Sequence, residues 1–245
     1  MTILVCRIAF QREIKLITIP MSNIQKNYQN LQTEVKKINQ NAKICVVTKN
    51  QTLEKVLEAI DAGAEIIGEN RVQEAETKFP HIPSSIEKHL IGQLQRNKVK
   101  KSIRLFDVIQ SVDSLRLAEK ISQECVKINK TMSIMLEVNT SEEEQKHGFL
   151  PEETIQSAQA ISKLENIKII GLMTVAKYEP NPENCRPSFK KLQTLFEEIK
   201  KLKLPNTKLK YLSMGMTNDY KVALEEGGNI VRVGTGIFGK RNSKA

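Results

Sequence analysis

Tryptophan is absent from the 245 residues, and aromatic residues make up only 4%. A core built by this chain must be aliphatic, and aromatic platforms for stacking nucleobases are lacking. No CxxC pair occurs; Cys6, Cys45, Cys125 and Cys185 lie far apart. That spacing argues against a zinc site and suits a reducing cytoplasm, with Cys45 read as an ordinary buried thiol. No segment approaches the roughly 18 consecutive apolar residues of a spanning helix, so no membrane partner is expected. Low-complexity tracts and a basic tail are also missing. The net charge of +10 is spread along the chain, which fits a solvated basic surface better than a nucleic-acid site, so no nucleic-acid partner is expected.

Hydrophobic residues make up 40% of the chain, enough for one sizeable core. The first 20 residues, MTILVCRIAFQREIKLITIP, are interrupted by Arg7, Arg12, Glu13 and Lys15, which break up a secretory apolar region. Ser22 with Gln25 then looks like a capping box. Residues 1–21 are read as an N-terminal extension, disordered or lying upstream of a natural start at Met21; a targeting segment is the competing reading. Residues 22–241 carry the fold.

A helix with one apolar stripe is expected over 22–39, then eight short apolar strands near 44–48, 65–68, 89–92, 108–110, 134–138, 167–173, 210–213 and 230–233. Helices are expected after the first seven, over 52–61, 72–78, 97–103, 113–128, 151–164, 188–202 and 219–226. Strict strand–helix alternation implies a parallel sheet with crossover helices. Eight units in this length imply an α/β fold of one domain, a (β/α)8 TIM barrel preceded by an N-terminal helix.

In such a barrel, chemistry gathers where strands end and βα loops begin. Those positions here are Lys49, Asn70, the stretch 93–97, Asn139, Thr174, the loop 213–216 and the loop 234–236. Lys49 ends an apolar run, Ile44 to Thr48; it is either a solvated lysine past a strand or an amine delivered to a site. The loops Ser213-Met214-Gly215-Met216 and Gly234-Thr235-Gly236 occupy the places where barrels of this class bind phosphate. Their glycines let backbone N–H groups approach an anion, and Ser213 and Thr235 add hydroxyls; the plainer reading is that the glycines only shape turns. An amine facing a phosphate cradle suggests a Schiff base with pyridoxal 5'-phosphate (PLP). Arg232, in an otherwise apolar strand, needs a partner: a pyridine nitrogen in the barrel interior or a carboxylate.

The stretches VVTK (46–49), GENRVQE (68–74), HLIGQLQRNK (89–98), GLMT (171–174), LSMGMTNDY (212–220) and VRVGTGIFGKR (231–241) together resemble the pyridoxal phosphate homeostasis protein family. That family is similar to the barrel domain of alanine racemase. The resemblance implies PLP held as a Schiff base on Lys49, with Ser213, Gly234 and Thr235 at the phosphate and Asn70, Met214 and Arg232 lining the cofactor. It implies a cytoplasmic, PLP-binding protein that affects PLP supply, without enzyme activity, and with PLP-dependent enzymes as possible clients. Thr48 replaces the family's usual serine, Lys88 stands where an aromatic is common, and His147 beside Lys146 replaces a serine in a loop the family links to PLP transfer. The alternative is a PLP-dependent amino-acid racemase. That activity needs a second, β-rich domain and its tyrosine base, for which the few residues after Gly239 leave no room; a monomer is therefore expected.

Overall fold

The computed structural model describes residues 21–143 and 145–239. The expected N-terminal extension lies, apart from Met21, outside them. The strands are β1 (Lys43–Val47), β2 (Ile66–Glu69), β3 (Glu87–Leu90), β4 (Val108–Val112), β5 (Met132–Glu137), β6 (Ile167–Met173), β7 (Thr207–Ser213) and β8 (Ile230–Val233). All pair in parallel in chain order, and β1 closes on β8 with Cys45 opposite Arg232. The helices are α1 (Asn23–Ile38), α2 (Leu53–Asp61), α3 (Val72–Lys78), α4 (Val99–Leu105), α5 (Leu115–Val126), α6 (Pro151–Ile161), α7 (Arg186–Lys201), α8 (Tyr220–Glu225) and α9 (Thr235–Phe238).

The expected TIM barrel is therefore the observed fold, with one correction. A helix follows the eighth strand as well: α9, a single turn inside the Gly-Thr-Gly loop, too short to leave a periodic signal. The stretch before α7, which carries Pro180, Pro182 and Pro187, is not a loop throughout. A 3-10 turn over Pro182–Cys185 runs directly into α7, and Pro187 sits in the first helical turn, where a missing N–H costs nothing.

The helix α1 begins at the anticipated capping box: Gln25 N–H donates to Ser22 Oγ at 3.2 Å, and Ser22 N–H to Gln25 Oε1 at 2.9 Å. Its stripe Ile24, Tyr28, Leu31 and Val35 packs with Ile44, Val46, Val231 and Val233, covering the outer face of the β1–β8 seam. Burial of each large apolar side chain contributes roughly 1.5–3 kcal/mol. Tyr28 Oη also donates to the Gly63 carbonyl at 3.1 Å, and Asn27 Nδ2 to the Ile237 carbonyl at 3.0 Å. These two bonds tie α1 to the turn after α2 and to α9, so the seam on which β1 and β8 carry their terminal residues is braced from outside.

Inside the barrel, Cys45, Ile66, Val108, Met135, Ile170 and Ile230 form an apolar cluster. Gly68 of β2 is required there: a Cβ would lie 2.7 Å from Cys45 Sγ and 2.9 Å from Ile91 Cδ1. Beyond this cluster the interior turns polar, and that change defines the site.

Candidate functional site

A cavity of about 260 Å3 opens among the loops that follow β1, β6, β7 and β8. Lys49, Arg232, Gly234 and Thr235 line it together with Met216 and Asp219. The loop ends singled out in the sequence thus converge, but not all of them. Asn70 faces a separate polar hollow with Gln93 and Lys98. Met214 is fully buried and packs in the hydrophobic core with Val222 and Ala223, so Met216, two residues on, presents its side chain to the cavity instead. Ser213 lies beneath the floor, with its hydroxyl engaged inside the barrel.

On the guanidinium side, Arg232 Nη1 donates to Ser213 Oγ at 2.7 Å and Nη2 to the Thr174 carbonyl at 2.6 Å. Ser213 Oγ donates to Gln110 Oε1 at 2.6 Å, and Gln110 Nε2 lies 2.6 Å from His89 Nδ1. The far nitrogen of His89, Nε2, is 3.5 Å from Glu87 Oε2. A polar line therefore crosses the barrel from β3 through β4 and β7 to β8. Arg232 is buried in the barrel interior, and the acceptors bonded to it are a hydroxyl and a carbonyl, both neutral. Burial pushes the Arg232 guanidinium below its usual range, opposed by Cys45, Glu137 and Asp219. Burial likewise pushes the Glu137 carboxyl, on β5, up to about 7; Asp113 adds to the rise and Arg232 counters it. The Cys45 thiol rises to about 12 through burial, which makes it inert at neutral pH.

Backbone close to the cavity explains two glycines. Gly215 has φ +88°, and a Cβ there would meet Ala223 Cβ at 2.6 Å. Gly234 brings the end of β8 against β1: a Cβ would lie 3.2 Å from the Val47 carbonyl oxygen. The glycine at 234 thus has a packing reason that stands whether or not an anion binds. The loop after β7 is braced within itself, with Asp219 Oδ1 accepting from Met216 N–H at 2.6 Å, and is tied to the loop after β6 by Asn218 Nδ2, which donates to the Glu179 carbonyl at 2.9 Å. Gly236 N–H donates to Thr217 Oγ1 at 3.2 Å.

On the amine side, three residues were not legible as functional. Glu69, at the end of β2, is fully buried; its Oε1 accepts from Thr48 Oγ1 at 2.7 Å and from Lys78 Nζ at 2.7 Å. Lys78 also reaches the Thr48 carbonyl at 2.8 Å and Glu74 Oε2 at 3.1 Å. Glu74 Oε2 accepts from Asn50 N–H at 2.7 Å. Burial raises the Glu69 carboxyl above its usual range against the pull of Lys78 and Thr48. For Glu74 burial acts in the same upward sense, but Asn50 N–H and Lys78 outweigh it and hold the carboxyl low. The i,i+4 spacing of Glu74 and Lys78 is that of a helix-surface pair, yet Lys78 is buried.

The family model for the alanine racemase N-terminal domain matches residues 19–242. The pyridoxal phosphate homeostasis protein of Aquifex aeolicus is 40% identical over 201 residues, 82% of this chain and 87% of that protein. Its counterpart in Haemophilus influenzae is 35% identical, covering 90% of this chain and 97% of the relative. The structure of PipY from Synechococcus elongatus with PLP bound superposes with a TM-score of 0.79 at 30% identity, over 88% of this chain and 100% of that one. An alanine racemase from Clostridium difficile, at 18% identity and a TM-score of 0.73, shares the fold, and this chain covers 60% of it. The chain belongs to the alanine racemase N-terminal domain family and, within it, to the pyridoxal phosphate homeostasis proteins.

Proposed function

We propose that this protein binds PLP through Lys49 and serves intracellular PLP homeostasis, holding the cofactor without catalysing amino-acid chemistry. The observation that carries the reading is the convergence of one amine, one guanidinium and the Gly-Thr-Gly loop on a single cavity at the C-terminal end of the barrel. That donor set fits the ligand. Lys49 supplies an amine for an aldehyde, Thr235 and Thr217 supply hydroxyls, and the backbone at Gly234 and Thr235 lines the cavity where a phosphate would sit, while Gly236 N–H is shared with Thr217 Oγ1. The cavity is slightly smaller than the roughly 300 Å3 at the lower end of ligand pockets, which suits a compact ligand. The relatives carry the homeostasis name, and one solved neighbour holds PLP.

When bound, PLP supplies an aldehyde that a lysine takes up reversibly with loss of water, and a heteroaromatic ring able to accept electrons. The residues present favour the first property over the second. Arg232 is fixed by two hydrogen bonds beside the cavity. A cation there disfavours a proton on a ring nitrogen bound next to it, and so weakens the ring as an electron sink. Among the described residues, Tyr178 on the cavity rim is 76% exposed, which leaves it unsuited to a desolvated general-base role.

Residues 22–241 form the PLP-binding unit in this reading, and the protein works in the cytoplasm as a monomer, with PLP-dependent enzymes as its clients. Three buried free cysteines, Cys45, Cys125 and Cys185, suit that compartment. Among the described residues no helix is long and apolar enough to cross a membrane. PLP titrated into the purified protein should produce the near-visible band of a lysine adduct, and Lys49→Ala should abolish it. Alanine incubated with the loaded protein in deuterated water should retain its α-proton; exchange at enzymatic rates would establish turnover in place of holding.

A further inference from the structure

The two peptide groups that flank Lys49 are anchored to one buried ion cluster. The carbonyl before it, on Thr48, accepts from Lys78 Nζ at 2.8 Å. The N–H after it, on Asn50, donates to Glu74 Oε2 at 2.7 Å. Lys78 joins the two carboxylates, at 2.7 Å from Glu69 Oε1 and 3.1 Å from Glu74 Oε2. An ammonium group has three donors, and all three of these are used. The cluster runs from the interior to the surface: the side chain of Glu69 is fully buried and that of Lys78 is 10% exposed, while Glu74 is half-buried and meets an exposed Asn50. Asn50 has φ +57°, in the left-handed region that asparagine enters more readily than most residues, and its N–H is directed at Glu74.

We propose that Lys78, with Glu69 and Glu74, is a positioning device for Lys49, fixing the main chain on both sides of that residue so that its amine meets a carbonyl in the cavity at a set distance and angle. The inference rests on the reading of Lys49 as the amine that takes up PLP. A cluster kept only for stability needs no connection to one particular backbone segment, and apolar residues often serve stability equally well. Here the bonds end on the peptides of a single residue. A long, flexible lysine side chain gains reach from its four methylenes but loses orientation by them; immobilising its Cα restores part of that orientation.

The test compares PLP with pyridoxamine 5'-phosphate, which carries an amine in place of the aldehyde and cannot react with Lys49. Dissociation constants for both are measured on wild type, Lys78→Met and Glu74→Gln, with circular dichroism confirming the fold. Lys78→Met should weaken PLP roughly 10- to 100-fold, by analogy with the loss of an outer partner of a metal ligand. It should leave pyridoxamine 5'-phosphate within about threefold, since the phosphate side of the site lies on β7 and β8. Glu74→Gln should shift PLP in the same direction by a smaller factor. Equal weakening of both ligands would reduce the cluster to general scaffolding and overturn the proposal, as would an unchanged PLP constant. If Lys78→Met does not fold, Glu74→Gln decides by the same two criteria. Failure of wild type to attach PLP at Lys49 would instead remove the underlying reading, and this result is seen before any variant is made.

Discussion

The two walls of the cavity fix their cations by opposite means. On the β1–β2 side, a lysine, two carboxylates and a threonine hydroxyl form a buried ionic cluster that grips main chain on either side of Lys49. On the β7–β8 side, Arg232 is held by a hydroxyl and a carbonyl, both neutral. The difference follows from what each wall presents. In the proposed reading, the amine side has to fix a backbone whose functional group stands at the end of a long side chain, and strong charge-assisted bonds do this. In the same reading, the guanidinium is itself the group that faces the ligand. Neutral acceptors position it without cancelling its charge, which stays available to a ligand.

Substitutions in the two walls should therefore differ in cost. Lys78→Met should be the most damaging, because it strands the buried Glu69 and the half-buried Glu74 without their cation. Breaking a buried pair from one side costs about 3–5 kcal/mol, which urea unfolding would measure. A loss under 1 kcal/mol would mean that water replaces Lys78 freely.

Glu137→Gln tests how strongly the interior beside Arg232 penalises a negative charge. The folded carboxyl titrates at about 7 against an ordinary 4.5, mainly through burial. Below about 4.5 both folded and unfolded chains hold this proton. Between there and 7 the unfolded chain releases it while the folded chain keeps it, so stability falls as pH rises and the loss is complete above 7. The difference corresponds to at most about 3 kcal/mol. Unfolding at pH 4.5 and pH 8 should show the glutamine variant gaining on wild type at the higher pH only; a gain of the same size at both would assign the effect to something other than titration.

Arg232→Met should cost less than Lys78→Met. It leaves one carbonyl and one hydroxyl short of a partner, about 1–2 kcal/mol in total, and the hydroxyl keeps its bond to Gln110. A cost equal to that of Lys78→Met would erase the distinction between the walls. Thr48→Ser retains the hydroxyl bonded to Glu69 and removes one methyl group, so a change of about 1 kcal/mol or less in unfolding free energy is expected. A larger loss would mean that the methyl group, and not the hydrogen bond, matters at that position.

Much of this architecture was readable from the chain. Eight apolar runs separated by amphipathic helices and breakers suffice for a barrel, and the barrel's polarity then selects Lys49 and the two glycine-bearing loops. What escaped has a common cause: side-chain direction. Strands this short are apolar on both faces, so parity cannot be read from them. His89 in β3 and Gln110 in β4 therefore drew no attention in the sequence, although both are buried and complete the line to Arg232. Asn70 and Met214 were expected to line the cofactor on the strength of the family resemblance, yet one turns to a neighbouring hollow and the other into the core. Lys78 and Glu69 are nine residues apart across the turn between β2 and α3, a separation with no periodic meaning. Only the docking of α3 against the barrel brings them together. The helix α9 is a single turn and carries no pattern at all.

The most direct measurement is borohydride reduction of the PLP-loaded protein followed by peptide mapping. A single stoichiometric modification on the peptide containing Lys49 is the expected result. Modification on Lys78, on Lys146 or spread among surface lysines, with Lys49 unmodified, would contradict the assignment of this cavity.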